Sequence, residues 1–498
     1  MARLIRQLFL LLLFISATQA YAAPQDWDIK QSPPLAWNNL TLIDGVYGIR
    51  IEHTIVFQDG KITAIGPTDE IELPNDAIVQ DGSGHFAIPG LWDAHVHLTF
   101  DESLGLAALP LLLANGITSI RDTGGQLAKI QPVRQQTLLW WHAAQPQAPR
   151  MFFSGPLLDG RPRVYSGEIR SYPEIGIEIA DEAGALAAVA QMAEAGADFV
   201  KVYEMLSPTV FKTLLQAAQQ HNLKVASHMP LSLTPTDFAT SGVKSLEHMR
   251  NLEMACSAQA GKLLLERRTL LANPENKPGS KLRSQIHSAQ RTLARDSEDK
   301  ATCDAFIQML AKSQMIQVPT LALNTGRANR FFATDAWQAN FNYLPAAAKT
   351  QWLGRANESA KISVSKLNLQ YATWSKQMVK RLHAAGVPIM AGTDMPILYL
   401  TPGFSLHLEL ERLVEAGLTP LEAISAATLA PAQFFGWEAT YGALAVGKMA
   451  DMVVLKRDPS TDITATRDIK AVIAGGRLLF RQDLDRLLEL AKTMKTSQ

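Results

Sequence analysis

Residues 88–97 read Ile88-Pro89-Gly90-Leu91-Trp92-Asp93-Ala94-His95-Val96-His97, and the fold turns on them. Pro-Gly punctuates the start and leads into an apolar run with polar groups near its end, the pattern of a buried strand. Side chains alternate along a strand, so His95 and His97 project to the same side. Two imidazoles on one side suit a single divalent ion. A His-x-His pair is common by chance, so its meaning depends on what surrounds it.

From Ile88 onward apolar strands alternate with helical stretches. The strand candidates are Leu91–Leu98, Ile117–Asp122, Met151–Ser154, Phe199–Glu204, Lys224–His228, Ser245–His248, Gln317–Ala322 and Pro388–Asp394. Helical patterns such as Glu182–Ala195, Pro208–His221 and Met378–Ala385 separate them. This alternation defines an α/β protein, and eight repeats favour a (β/α)8 TIM barrel over residues 88–439, with catalytic groups at the C-terminal strand ends. Both chain ends are β-like instead: Leu40–Ile43, a hairpin signal at Asp59-Gly60 between Ile55–Phe57 and Lys61–Ile65, then Ala450–Leu455 and Lys470–Ile473. They predict a small β-sandwich domain assembled from residues 23–87 and 440–485. The stretch 250–315 is too long for a plain connection. It carries helical runs Leu263–Leu271 and Ser284–Arg295, and reads as a helical insertion on the active-site side, placed to act as a lid.

Polar residues then fall where a barrel would use them. His228 ends strand five, His248 ends strand six, Asp394 ends strand eight, and Lys201 in strand four should point inward. A lone strand-end histidine is usually an ordinary core or surface residue, but an inward charge on an apolar strand is expensive to bury. Features of this kind on strands one, four, five, six and eight together point to a metal site built from His95, His97, Lys201, His228, His248 and Asp394.

The constellation resembles the amidohydrolase superfamily. Residues 88–97 resemble its first-strand signature, Asn115–Asp122 its second strand, and Gly442-Ala443-Leu444 through Gly447–Leu455 the return to the small β domain. The branch with a strand-four lysine, imidazolonepropionase-like and prolidase-like, is the most similar. The resemblance implies that Lys201 is carboxylated and bridges two divalent ions, with His95, His97 and Asp394 holding the more buried one and His228 with His248 the more exposed. An unmodified Lys201 beside a single ion is the alternative. Zinc suits the mixed donor set, as do manganese, iron or cobalt. Water between the ions would lose its proton near neutral pH, the exposed ion would polarise a substrate carbonyl, and Asp394 would pass the proton to the leaving amine as general base and acid. The expected reaction is hydrolysis of an amide-type C–N bond in a small peptide or N-acyl amino acid. Tyr203, two positions after Lys201, and Arg121, at the end of strand two, are candidates to bind a substrate carboxylate or carbonyl.

Departures from the family narrow the reading. After Lys201 the chain reads Val-Tyr-Glu-Met-Leu-Ser-Pro, without the glycine-rich loop of the branch's dipeptidases, which argues against a Xaa-Pro dipeptide. Relatives that deaminate place a Glu three residues beyond the strand-five histidine, where this chain has Leu231. A mononuclear cyclic-amide hydrolase or deaminase, a lactone or phosphotriester hydrolase, and a non-catalytic metal-binding barrel are the remaining alternatives.

Composition and the N-terminus set the context. The 498 residues carry 47 Lys+Arg and 47 Asp+Glu, so no basic surplus supports nucleic-acid binding. At 47% hydrophobic the chain should fold, not remain disordered. Residues 1–22 have the parts of a signal peptide: Arg3 and Arg6, an apolar Leu8–Ile15, and Ala20-Tyr21-Ala22 as a cleavage pattern. The apolar run is too short to span a bilayer, so a periplasmic or secreted protein free of the membrane after cleavage is expected. Cys256 and Cys303 are the only cysteines, too far apart in sequence for a thiolate metal site. In an exported chain they are expected to pair, closing a loop worth roughly 4 kcal/mol by chain entropy.

Overall fold

The Asp59-Gly60 signal forms the turn it predicts. Both residues have positive φ, 48° and 73°, as a tight hairpin between right-twisted strands requires. The computed structural model describes residues 23–29, 33–169 and 171–494. The expected signal peptide over residues 1–22 lies outside them.

The strands in chain order are β1 (Leu35–Asp44), β2 (Gly48–Gln58), β3 (Lys61–Pro67), β4 (Ile78–Asp81), β5 (Phe86–Pro89), β6 (Leu91–Val96), β7 (Ile117–Asp122), β8 (Arg150–Phe153), β9 (Leu157–Asp159), β10 (Gly176–Glu178), β11 (Phe199–Val202), β12 (Lys224–Ser227), β13 (Ser245–Glu247), β14 (Ile316–Val318), β15 (Met452–Leu455), β16 (Ile469–Ala474) and β17 (Arg477–Phe480). The two chain ends meet in one sheet, ordered β17-β16-β15-β5-β1-β2-β3 with β4 also on β1. Its junction is the antiparallel pairing of β15 with β5, Met452 opposite Pro89. The sequence predicts a sandwich here; the observed pairing is a single mixed sheet.

The middle of the chain is parallel. β6, β7 and β8 pair in order, and β11, β12, β13 and β14 do the same. After Phe153 the third strand is interrupted; β9 resumes it and pairs with β11, Leu157 opposite Lys201. Between β14 and β6 runs the segment 388–395. Met390 N–H donates to the Gln317 carbonyl, and Asp394 N–H to the His95 carbonyl at 2.7 Å. Hydrogen bonds therefore link eight parallel segments edge to edge and return to the first.

Two expected strands are altered, for the same reason. Residues 388–394 make bridges and not a regular strand, because Asp394 takes a left-handed conformation (φ 65°) and Asp93 binds the Thr393 N–H and hydroxyl. Strand seven stops at Val318, where Thr320 (φ 45°) turns into the helix Leu321–Asn329. The buried Glu409 carboxylate accepts the first N–H groups of that helix, from Leu321 and Ala322. Such conformations cost branched and bulky residues free energy and cluster at functional sites.

Stacked rings, Trp92 on Phe152 at 5.1 Å and Phe435 on Trp437 at 4.1 Å, fill the buried core beside β6 and β8. Arg150 on β8 pairs with Asp451 beside the β15 junction and so ties the sheet to the parallel segments. The expected insertion is helical: Leu252–Ala255, Ala260–Ala272, Gly279–Asp296 and Lys300–Ser313. A Cys256–Cys303 disulfide closes its base. Among the described residues no helix is long and apolar enough to cross a membrane.

Candidate metal centre

The six residues expected to hold metal are all buried: His95, His97, Lys201, His228, His248 and Asp394 are each at most 6% exposed. Asp394 Oδ1 lies 3.3 Å from His95 Nε2 and 3.1 Å from His97 Nε2, and its Oδ2 lies 3.8 Å from His248 Nε2. Donor atoms of His95, His248 and Asp394 fall within 4.8 Å of one another. The His228 and His248 rings are 4.9 Å apart. The expected division groups His248 with His228; His248 also lies within reach of His95 and Asp394.

Each histidine uses its Nδ1 elsewhere. That of His95 meets Glu247 at 2.5 Å, that of His97 the Gly124 carbonyl at 3.2 Å, that of His228 Glu204 at 2.7 Å, and that of His248 the Thr320 hydroxyl at 2.7 Å. With the proton held on Nδ1, the Nε2 lone pairs of His95, His228 and His248 are left as ligands, while His97 Nε2 also lies 3.4 Å from the Thr123 hydroxyl; the outer-shell arrangement fixes both tautomer and ring direction. His95 Nε2, Asp394 Oδ1 and Lys201 Nζ are buried and have no hydrogen-bond partner among the described residues. Buried polar atoms without partners are costly. Nitrogen and oxygen donors left open in this way fit a divalent cation.

Electrostatics favours the same occupant. Burial holds His228 and His248 well below the usual imidazole range, so both are neutral, as ligands must be. Burial alone would raise Asp394, but the facing histidines outweigh it and keep the carboxyl well below its ordinary value. Burial also pushes the Lys201 ammonium down, to about 8.

The structure corrects the reading of Arg121. Its guanidinium is fully buried and donates to Glu247 at 2.8 Å, to Ser245 Oγ at 3.2 Å and to the Ala94 carbonyl at 2.6 Å. It braces Glu247, and through it His95, instead of facing substrate. Tyr203 does reach the site: its ring packs on His228 at 4.2 Å.

Sequence reasoning missed Glu247 and Glu204. Alternation puts Glu247 and His248 on opposite faces, yet His248 is left-handed (φ 59°), so both turn toward the site. The available signal was an acid inside an apolar strand, which demands a buried partner. Glu204 lies just past β11 and also binds two side chains of the insertion, Arg283 at 2.8 Å and His287 at 2.7 Å.

A parallel α/β array whose strand ends converge on open imidazole and carboxylate donors defines a candidate divalent-metal centre. The family model for the amidohydrolase family matches residues 86–479, and the chain belongs to that family. It acts on C–N bonds of small molecules with a divalent metal. The chain is similar to an imidazolonepropionase of Chromobacterium violaceum, 23% identical over 472 residues covering 82% of this chain and 86% of that one. Among solved structures it resembles a Xaa-Pro dipeptidase (17% identity, 90% of this chain, 100% of that one, TM-score 0.62). It also resembles a bottromycin amidohydrolase (21% identity, 92% and 90%, TM-score 0.66). The imidazolonepropionase and the dipeptidase represent the imidazolonepropionase-like and prolidase-like branch that the sequence resembles.

Proposed function

We propose that this is an exported, periplasmic or secreted binuclear amidohydrolase, in which the linked parallel segments form a (β/α)8 barrel at residues 88–439. The proposed composite β domain (23–87 and 440–485) flanks the barrel, and residues 250–315 form its helical insertion. The observation that carries the reading is that four histidines have Nδ1 engaged while Lys201 Nζ and Asp394 Oδ1 lie buried beside them without hydrogen-bond partners among the described residues.

His95, His97 and Asp394 would hold one zinc ion, His228 and His248 a second, and carboxylated Lys201 would bridge them. When bound, the metal supplies Lewis acidity toward a substrate carbonyl and toward water. Addition of CO2 requires the neutral amine; the new N–C bond forms as an N–H proton leaves to solvent. Burial, by lowering Lys201 to about 8, supplies that neutral amine near physiological pH. Asp394, ionised and facing the site, takes the proton of the attacking water and delivers it to the leaving amine, giving a carboxylate and an amine. Tyr203, packed on His228, is the proposed contact for a substrate carbonyl or carboxylate. The proposed substrates are small peptides or N-acyl amino acids.

One observation favours a second reading. The tight trio of His95, His248 and Asp394 would suffice for a single ion, with Lys201 unmodified, as in a cyclic-amide hydrolase. Metal content per chain separates the two. Near two ions, falling toward one in Lys201→Ala, supports the bridged site. Near one, unchanged by that substitution, selects the mononuclear reading, and no bound metal overturns both.

A further inference from the structure

Arg250 comes two residues after His248, and its guanidinium has no hydrogen bond or ion pair among the described residues; its Nε is buried without a partner. It lines a cavity of about 350 Å³ between the insertion helix Gly279–Asp296 and the helix Lys366–Ala384. The neighbouring cations are engaged: Arg283 with Glu204, Arg291 with Glu253, Arg295 with Asp296. The wall is rich in open donors. Among the described residues Arg291 Nη2, Tyr371 Oη and Trp374 Nε1 also lack partners, against a single open carboxylate oxygen of the wall, Glu253 Oε2. Tyr371 and Trp374 stack at 5.7 Å and 21°, giving one side of the cavity a flat apolar surface.

We propose that this cavity is a substrate subsite in which Arg250 binds an anionic group, a carboxylate in the first instance, of a ligand whose apolar body lies against Tyr371 and Trp374. The inference rests on the metallohydrolase reading for its place in the reaction: the cavity shares Arg283 and His287 with the Glu204–His228 brace, so a ligand anchored there lies beside the metal centre. Arg250 is only partly buried, so its terminal guanidinium nitrogens remain open toward the cavity while Nε is the orphaned buried atom, and a carboxylate fits that planar fork with two parallel hydrogen bonds. The volume falls at the lower end of small-ligand sites, which suits one amino-acid-sized moiety.

The test is calorimetric titration of the metal-loaded full chain with 3-phenylpropionate and with its neutral match, 3-phenylpropanamide. The acid is expected to bind at least tenfold tighter than the amide, and Arg250→Gln to bring the two within about twofold of each other. Trp374→Leu, which removes part of the apolar wall and one neutral donor but no charge, should weaken acid and amide by a similar factor. Equal binding of acid and amide by the unaltered protein overturns the proposal. So does an acid preference that survives Arg250→Gln, which would place the carboxylate elsewhere, for example on the metal. Binding is read without turnover, so failure of the hydrolase reading, seen in metal content and absent hydrolysis, is distinguishable from failure of this one.

Discussion

Two buried carboxylates do the same work in this molecule with different support. Glu247 fixes His95 and is itself fixed by Arg121 and Ser245, all from the parallel strands β6, β7 and β13. Glu204 fixes His228 and is fixed by Arg283 and His287, both from the insertion helix Gly279–Asp296. The first brace is part of the strand framework and forms when that framework folds. The second gains its support from Arg283 and His287 only when the insertion has docked. One half of the site is therefore intrinsic to the fold, and the other depends on a peripheral element that also walls the cavity around Arg250.

Removing the carboxylates in turn puts this difference under the greatest load. Glu247→Ala leaves Arg121 fully buried beside the Phe199 and Phe434 rings without the carboxylate it is hydrogen-bonded to. Stranding one member of a buried pair costs about 3–5 kcal/mol, a large share of a domain's stability. The expected outcome is a protein recovered largely insoluble or with a sharply lowered urea midpoint.

Glu204→Gln should do less to the fold and more to the site. Arg283 keeps about 12% side-chain exposure and can turn to water. His228 loses its carboxylate partner, and such outer-shell losses weaken metal binding by about 10–100-fold. Folded Glu204→Gln with reduced metal affinity, measured by competition with a chelator, would bear out the contrast. Equal destabilisation by the two substitutions would erase it.

The same contrast explains what could be read from sequence. His95, His97, His228, His248, Lys201 and Asp394 were legible because each sits at or near a strand end, where period-two alternation and barrel geometry say which way it points. Glu247 was hidden because the left-handed backbone at His248 breaks that alternation, and a conformation of this kind leaves no mark in residue type. Residues 388–394 failed as a regular strand for a similar reason at Asp394. Arg121 was misassigned to substrate because its true partner, Glu247, is 126 positions away and only the tertiary fold joins them. Arg283 and His287 could be placed on a helix by pattern, but their target could not, since docking of the insertion is decided by packing.

A subtler effect concerns pH and isolates the insertion side. Burial, as the main cause, holds His287 well below the usual imidazole value of 6.5. A depressed folded value means the unfolded chain binds protons more readily. Stability from this group is thus present above about pH 6.5 and lost as pH falls below it, by up to ~1.4 kcal/mol per pH unit for one histidine. Buried carboxyls oppose it: Asp93 and Asp159 are both raised by burial to about 7, so each adds stability as pH falls. The informative quantity is therefore the difference between the metal-free protein and its His287→Gln variant, each unfolded in urea at pH 7.5 and 5.5. The variant should lose less stability on acidification, by the contribution of one proton. Amides of the helix Gly279–Asp296 should also lose exchange protection at pH 5.5 before those of β6 and β7, because the Glu204 brace yields while the Glu247 brace holds. Identical pH dependence in the two proteins, or simultaneous loss of protection in helix and strands, would mean that the insertion is as much a part of the fold as the strands are.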